Sequence, residues 1–501
     1  MRNLVITVPR LEIHRPPVST AIIANCIKLA GHPVDTLDLN CEFFHYLSNR
    51  DSYYAYDQVW DRARPITNTE TKNIIKFIKQ VAFKKINDND RIFISVFGSS
   101  AHLFTTILCK LIRKNFKNKI IILGGAGVTS SIIGNLKQQF GIQMKKAGLC
   151  NLYIVGEGEK LVINVLNNNL DIPGLKDETP TQLDNIDNLP IPDYSFYDLD
   201  KYDYLSEQKE VFIVGSRGCV RNCTYCDVAH YWPKFRYRSG SNIAQEMITH
   251  YEKHGVTKFY FTDSLINGSL KAFNDMCEKL AKYNSTHKAG FSWGGQFIFR
   301  PKRQLPQDHF KMIAEAGGNE FYVGVETGSD KIRWEMDKKF TNEDIDYQLE
   351  EFNKNNLHVY FLMLIGYATE TINDHNDTLK MFQRWQKYVA TGTIRGIDLG
   401  AGLYFMEGTP LERQIKEHGT YFLTNDLDLW QNTINPDLDV WERVRRRIET
   451  HKKAIKYNWP VWRGTQRLEA IKQMLLKYQA FINNSNQTFK PIVKDGLHFI
   501  N

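Results

Sequence analysis

Residues 218–226 read GCVRNCTYC, which sets three of the chain's eight cysteines at the spacing C-x3-C-x2-C. Thiolates are soft ligands, and a trio as close as Cys219, Cys223 and Cys226 calls for a soft metal centre. A structural zinc takes four ligands, commonly as two distant C-x2-C pairs, and no partner pair occurs here, although His230 is near enough in sequence to complete such a site. The other candidate is a [4Fe-4S] cluster held by three thiolates, which leaves one iron open to a substrate or cofactor. Three cysteines rarely fall this close together by chance, and the spacing favours the cluster. Cys26, Cys41, Cys109, Cys150 and Cys277 are scattered, mostly among apolar neighbours, as buried free thiols of a reducing compartment would be.

Such a loop needs a rigid framework. The segment VFIVGSRG (211–218) is an apolar β run that ends just before Cys219, and KFYFTD (258–263), AGFSWGGQFIF (289–299), NEFYVGVE (319–326), HVYFLMLIG (358–366) and IDLGAGLYF (397–405) continue the series. Helical patterns such as SNIAQEMITHYEKHG and TNEDIDYQLEEFNKNN separate the strands. Six βα units in succession predict a partial (β/α)6 barrel over 211–410, with its chemistry at the carboxyl ends of the strands. That rim receives Asp263, Arg300, Glu326 and Gly366, and after the last strand Tyr404, Met406 and Glu407.

Upstream, NLVITVP, VDTLDL, RIFISVFG, KIIILGG and LYIVGEGE alternate with helical stretches and predict a doubly wound, Rossmann-like parallel sheet over 1–160. Ligands of such sheets lie at the strands' carboxyl ends, which points to the loops at Pro9, Gly98, Gly124 and Gly156. Gly124 and Gly125 permit close backbone approach, and Ser95, Ser99 and Ser100 can hydrogen-bond at the neighbouring strand end. The Pro-, Asp- and Tyr-rich stretch over 161–210 predicts a linker, and 411–501 a mainly α-helical region.

At 501 residues, with 42% hydrophobic content, the chain is long enough for two or three domains with sizeable cores. The net charge of +8 is a modest excess of 64 basic over 56 acidic residues, and the one basic run, VRRRIETHKKAIK (444–456), reads as a solvated helix face rather than a phosphate contact. No signal pattern opens the chain and no apolar run approaches the roughly 18 residues of a membrane span, so a soluble cytoplasmic protein is expected.

With Tyr225 just before its last cysteine, the motif resembles that of the radical S-adenosylmethionine (SAM) enzymes. EFYVGVETGSDKI, FLMLIGYATET and YFMEGTPL resemble successive landmarks of the subfamily with an N-terminal cobalamin-binding domain, and AIIANCIKLAGHPVDTLDLN, IIILGGAGV, VGEGE and LDNIDNLPIPD resemble that domain and its linker. The resemblance covers roughly residues 1–415. It implies that the open iron chelates SAM and that the reduced cluster cleaves it to a 5′-deoxyadenosyl radical, which abstracts hydrogen from a substrate. It further implies that Glu326 and Asp263 touch the ribose or amine of SAM, that Arg300 pairs its carboxylate, that Gly366 and Tyr225 lie near adenine, and that Gly124, Gly125, Ser95 and Ser99 contact a cobalamin tail. Two departures stand out: Tyr367 replaces the usual proline after Gly366, and no D-x-H-x-x-G cobalt-ligand signature occurs, its nearest approach being Glu12 and His14 in EIHRPP.

The expected activity is cobalamin-dependent methylation of an unactivated carbon in a small-molecule or natural-product-like substrate, with an electron donor such as flavodoxin or ferredoxin. SAM cleavage leading to cyclisation, oxidation or rearrangement is the second reading. A zinc-stabilised nucleic-acid-binding protein is the third, and it predicts salt-sensitive affinity and no SAM cleavage. A tRNA methylthiolating enzyme is disfavoured, because the first domain has no second cysteine cluster.

Overall fold

The computed structural model describes the chain apart from Ser48, Arg62, Ala63, Ser130, Ile133, Gly134, Ala401, Glu407, Lys416, residues 425–428 and residues 485–501. It divides into two compact units, Met1–Ile213 with Thr249–Lys258, and Val214–Ile248 with Phe259–Asn501.

In the first unit, strands β1 (Asn3–Thr7), β2 (Val34–Asp38), β3 (Arg91–Ser95), β4 (Ile120–Gly124) and β5 (Leu152–Tyr153) form a parallel sheet in the order β2-β1-β3-β4-β5. Alternate side chains leave opposite faces. Leu4, Ile6, Ile92 and Ile94 enter one core, which helices α2 (Asn68–Val81), α3 (His102–Asn115) and α4 (Phe140–Lys146) cover; Val5 and Phe93 enter the other, under α1 (Val18–Leu29) and α5 (Gly158–Leu166). Both faces are therefore apolar, which explains the uninterrupted runs in the strands.

The second sheet has six strands, β6 (Glu210–Ile213), β7 (Lys258–Phe261), β8 (Ser292–Phe297), β9 (Gly318–Glu326), β10 (His358–Met363) and β11 (Ile394–Asp398), in spatial order β11-β10-β9-β8-β7-β6. The pairs from β8 to β11 are parallel. Between strands lie α6 (Gly240–His254), α7 (Leu270–His287), α8 (His309–Glu315), α9 (Asp330–Glu335), α10 (Asn342–Lys354) and α11 (Ile372–Arg384). Thr341 and Thr371 close capping boxes with Asp344 and Asp374, which starts α10 and α11 directly behind the rim loops. Helices α12 (Val440–Lys456) and α13 (Gly464–Asn484) follow, so the α/β class and the helical C-terminal region agree with the sequence reading.

Two expectations change. The last strand runs from Ile394 to Asp398 rather than over 397–405, because Gly400, at φ +74°, ends it with its α-carbon packed on the Met363 carbonyl. The basic run is solvated only in part: Arg446, Arg447 and His451 on α12 are buried, as is Arg443 just before the run, whereas Lys452 and Lys456 are exposed. Arg446 pairs with Glu370 and Glu442 at 2.9 and 2.8 Å, and Arg443 lies 3.7 Å over the Trp430 ring, so counter-charges and an aromatic face make their burial tolerable.

Between α12 and α13 the chain returns to the edge of the sheet. Ile397 donates to the Pro460 carbonyl, Trp462 donates back to Ile397, and a parallel bridge joins Ile397 to Val461. Trp462 completes an aromatic layer with Tyr322 and Tyr360, whose stacked rings lie 5.0 Å apart.

Candidate functional site

The cysteine loop rises from a short antiparallel pair in which Ser216 and Arg217 face Tyr237 and Arg236. Cys226 N donates to the Cys223 carbonyl at 3.0 Å, so Cys223 and Cys226 occupy the corners of a four-residue turn with Thr224 and Tyr225 at its centre. Thr224 anchors this turn three times: its N–H donates to the Met336 carbonyl at 3.3 Å, its carbonyl accepts from Leu411 N at 2.8 Å, and its hydroxyl lies 2.7 Å from the Tyr367 hydroxyl. Cys223 is buried, whereas Cys219 and Cys226 are half-buried. Burial pushes the Cys223 thiol up to about 11 and raises Cys226 as well, so both carry protons as bare thiols.

Glu326 ends β9 at φ +67° with its carboxylate largely buried. Tyr225 donates to it at 2.7 Å, and Lys338 Nζ sits 2.7 Å away. Gly324 makes the space for this pair, since a β-carbon there would stand 2.2 Å from Glu326 Oε1 and 2.6 Å from Lys338 Nζ. Burial works against the Lys338 charge, but Glu326 and then Cys223 hold its ammonium above the ordinary lysine value. Burial and Glu326 raise the Tyr225 phenol. Lys338 was missed in the sequence: it lies between Asp337 and Lys339, both left-handed at φ +62° and +55°, in a loop without periodicity.

Asp263 accepts from Gly215 N at 2.8 Å, where the strap to the cysteine loop begins, and burial pushes its carboxyl up to about 7. Arg300 donates to the Asn267 and Gly268 carbonyls at 2.9 and 3.0 Å. Burial and then Arg221 lower its pKa, while Cys219 opposes the shift, which puts two guanidiniums and one cysteine in mutual electrostatic reach. The Nε–H groups of Arg221 and Arg300 are buried without a hydrogen-bond partner. Buried orphan donors beside a thiol suit an anionic group such as a thiolate-bound cluster or a carboxylate. Among the described residues, no three His, Cys, Asp or Glu side chains come together around a single metal ion. His230, the possible zinc ligand, lies against Gly408.

Gly366, at φ +86°, donates to Glu370 at 3.2 Å and packs on the Arg443 side chain. Met406 is 38% exposed and Tyr404 36%; Glu407 lies outside the described residues. In the first unit, Gly125, at φ +101°, approaches Val96 so closely that a β-carbon would stand 2.6 Å from its carbonyl oxygen. Strand packing alone therefore requires that glycine, with Gly124 and Ser95 in register beside it and Ser99 opening the turn before α3. His14 is half-buried, and its Nδ1–H donates to the Asp203 carbonyl at 2.7 Å.

Residues 213–382 match the Radical SAM superfamily. The chain carries a radical SAM domain. That domain begins at the end of β6, contains the cysteine turn and the Glu326 cluster, and ends within α11. Its sequence relatives include cytidylyl-2-hydroxyethylphosphonate methyltransferase of Streptomyces wedmorensis, 25% identical over 36% of this chain and 34% of that protein. Another is the anaerobic magnesium-protoporphyrin IX monomethyl ester cyclase of Synechocystis sp., 27% identical over 46% of each chain. The match thus spans about a third and about half of these relatives' lengths. In fold, the chain is similar to OxsB, a cobalamin-dependent SAM radical enzyme solved with aqua-cobalamin, at TM-score 0.63 and 16% identity over 96% of this chain and 71% of that one. It is also similar to the radical SAM methyltransferase TsrM of Kitasatospora setae, solved with cobalamin and a [4Fe-4S] cluster, at TM-score 0.59 and 14% identity over 85% of this chain and 77% of that one. No helix among the described residues is long and apolar enough to cross a membrane.

Proposed function

We propose that the protein is a cobalamin-dependent radical SAM enzyme that methylates an unactivated carbon of a small molecule, drawing electrons from a donor such as flavodoxin or ferredoxin. The observation that carries this reading is the radical SAM match over 213–382 together with a fold similar to OxsB over 96% of the chain. Cys219, Cys223 and Cys226 would hold the [4Fe-4S] cluster, with the orphan Nε–H groups of Arg221 and Arg300 complementing its negative charge. Glu326, Asp263 and Arg300 at the rim, with Tyr225 and Gly366, would bind SAM, and Ser95, Ser99, Gly124 and Gly125 would line the cobalamin tail. When bound, the cluster supplies the electron that cleaves SAM to a 5′-deoxyadenosyl radical, and cobalamin supplies the methyl group. The chain's own part is to orient these groups and exclude water, for which the buried Glu326–Lys338–Tyr225 cluster and the pinned turn are suited.

The test is anaerobic reconstitution with iron, sulfide and hydroxocobalamin, followed by desalting and metal analysis. About four irons and one cobalt per chain are expected. Cys223→Ala should abolish reductive SAM cleavage while cobalt retention persists; undiminished cleavage in that variant would remove the cluster assignment. The likeness to the Synechocystis cyclase supports the alternative of radical chemistry without methyl transfer, and 5′-deoxyadenosine formed with no methylated product from any acceptor would favour it.

A further inference from the structure

Both central side chains of the Cys223–Cys226 turn are tied to strand ends, Tyr225 to Glu326 at the end of β9 and Thr224 to Tyr367 just after β10. The second tie has a rigid base. Tyr367 is 2% exposed, its carbonyl accepts from Glu370 N at 2.8 Å, and the Glu370 carboxylate accepts from Gly366 N at 3.2 Å and from Arg446 at 2.9 Å. A continuous chain of hydrogen bonds thus runs from a buried arginine of α12 through the Gly366–Glu370 turn to the hydroxyl of Thr224. The pattern that this segment otherwise resembles has proline at 367, which offers no side-chain donor, so the tie belongs to this chain.

We propose that Tyr367 is a positioning residue for the cluster. Its hydroxyl, acting through Thr224, fixes the turn that spaces two of the three thiolates and so sets the reduction potential of the cluster they hold. The inference rests on the cluster assignment above. Its physical basis is that iron–sulfur potentials depend on hydrogen bonds to the sulfurs and on ligand orientation, and a four-residue turn has few ways to adjust either independently of its central residues. The Thr224 and Tyr367 hydroxyls are 2.7 Å apart in a protected position, and removing one leaves the other without its partner. The competing role is packing, since the Tyr367 ring also contacts a core that includes Leu364, Phe405, Leu411 and Trp430.

Tyr367→Phe keeps the ring and deletes the hydroxyl, and Thr224→Val deletes its partner. Phe405→Leu perturbs the same core while leaving both hydroxyls of the tie in place. All three, and the Tyr367→Phe/Thr224→Val double variant, are compared with wild type as full-length protein reconstituted anaerobically with iron and sulfide. The readouts are iron retained after desalting, the EPR spectrum of the reduced cluster, its midpoint potential by EPR-monitored titration, and the melting temperature. The two single hydroxyl deletions should shift the potential in the same sense and by the same amount, the double variant should shift it no further, and Phe405→Leu should lower the melting temperature with the potential unchanged. A Tyr367→Phe protein with wild-type potential and spectrum but a lowered melting temperature would reduce Tyr367 to packing. Wild-type protein that retains no iron would overturn the cluster assignment, and this inference with it, an outcome distinct from unresponsive variants of a loaded protein.

Discussion

Lys338→Met is the sharpest perturbation of the buried charge beside the cysteine turn. Lys338 Nζ and Glu326 Oε1 are 2.7 Å apart, with side chains only 11% and 10% exposed. At an effective dielectric constant of about 20, that separation corresponds to about 6 kcal/mol of Coulomb attraction, most of which offsets the desolvation of two ions. Removing one partner of a buried pair costs about 3–5 kcal/mol, because the other charge stays behind. Here Tyr225 still donates to Glu326, which puts the expected loss near the lower end, about 3 kcal/mol. For a unit of this size that lowers the melting temperature by about 5 °C. Calorimetry of the metal-free, reduced protein isolates this effect from any stabilisation by a cluster. Methionine fills the lysine's volume, so the deficit reports charge rather than a cavity. Glu326→Gln in the same chain should recover about 2 kcal/mol, since no uncompensated anion then remains. A Lys338→Met protein within about 0.5 kcal/mol of wild type, or a double variant no more stable than the single one, would refute the electrostatic account.

Gly125→Ala should destabilise the first unit by about 3 kcal/mol in urea melts, because the left-handed backbone and the Val96 carbonyl both reject a β-carbon. Asp263 predicts a pH effect: burial holds its carboxyl near 7 against 3.8 in the reference state, so the native protein keeps a proton that the unfolded chain sheds. The stability it contributes is complete below about pH 4 and is lost as pH rises through about 7, by up to about 4 kcal/mol. Asp263→Asn should flatten that part of the profile, and a wild-type-minus-variant difference constant across this range would contradict it.

The strand runs and the cysteine spacing were legible because each depends on local order, either continuous apolar faces or three thiols within one loop. The partners that complete the site depend on tertiary distance. Lys338 reaches Glu326 only because two left-handed residues turn the loop back and Gly324 leaves room, and no periodicity marks such a loop. The arginines of α12 looked solvated because charge alone is visible in a sequence, whereas Glu370, which accepts Arg446, lies 76 positions away. Tyr367 drew notice only as a departure from a pattern, and its partner Thr224 lies inside the best-marked motif of the chain.

The return of Pro460–Trp462 to β11 closes an edge of the sheet that would otherwise lie open. An open strand edge presents unpaired N–H and C=O groups to any other extended chain. Here the Ile397 amide and carbonyl are both engaged by this return segment, and Trp462 caps the aromatic layer beside them. Detachment of the last two helices would therefore expose a template for intermolecular strand pairing. The Pro460–Trp462 segment thus guards this edge of the sheet against aggregation.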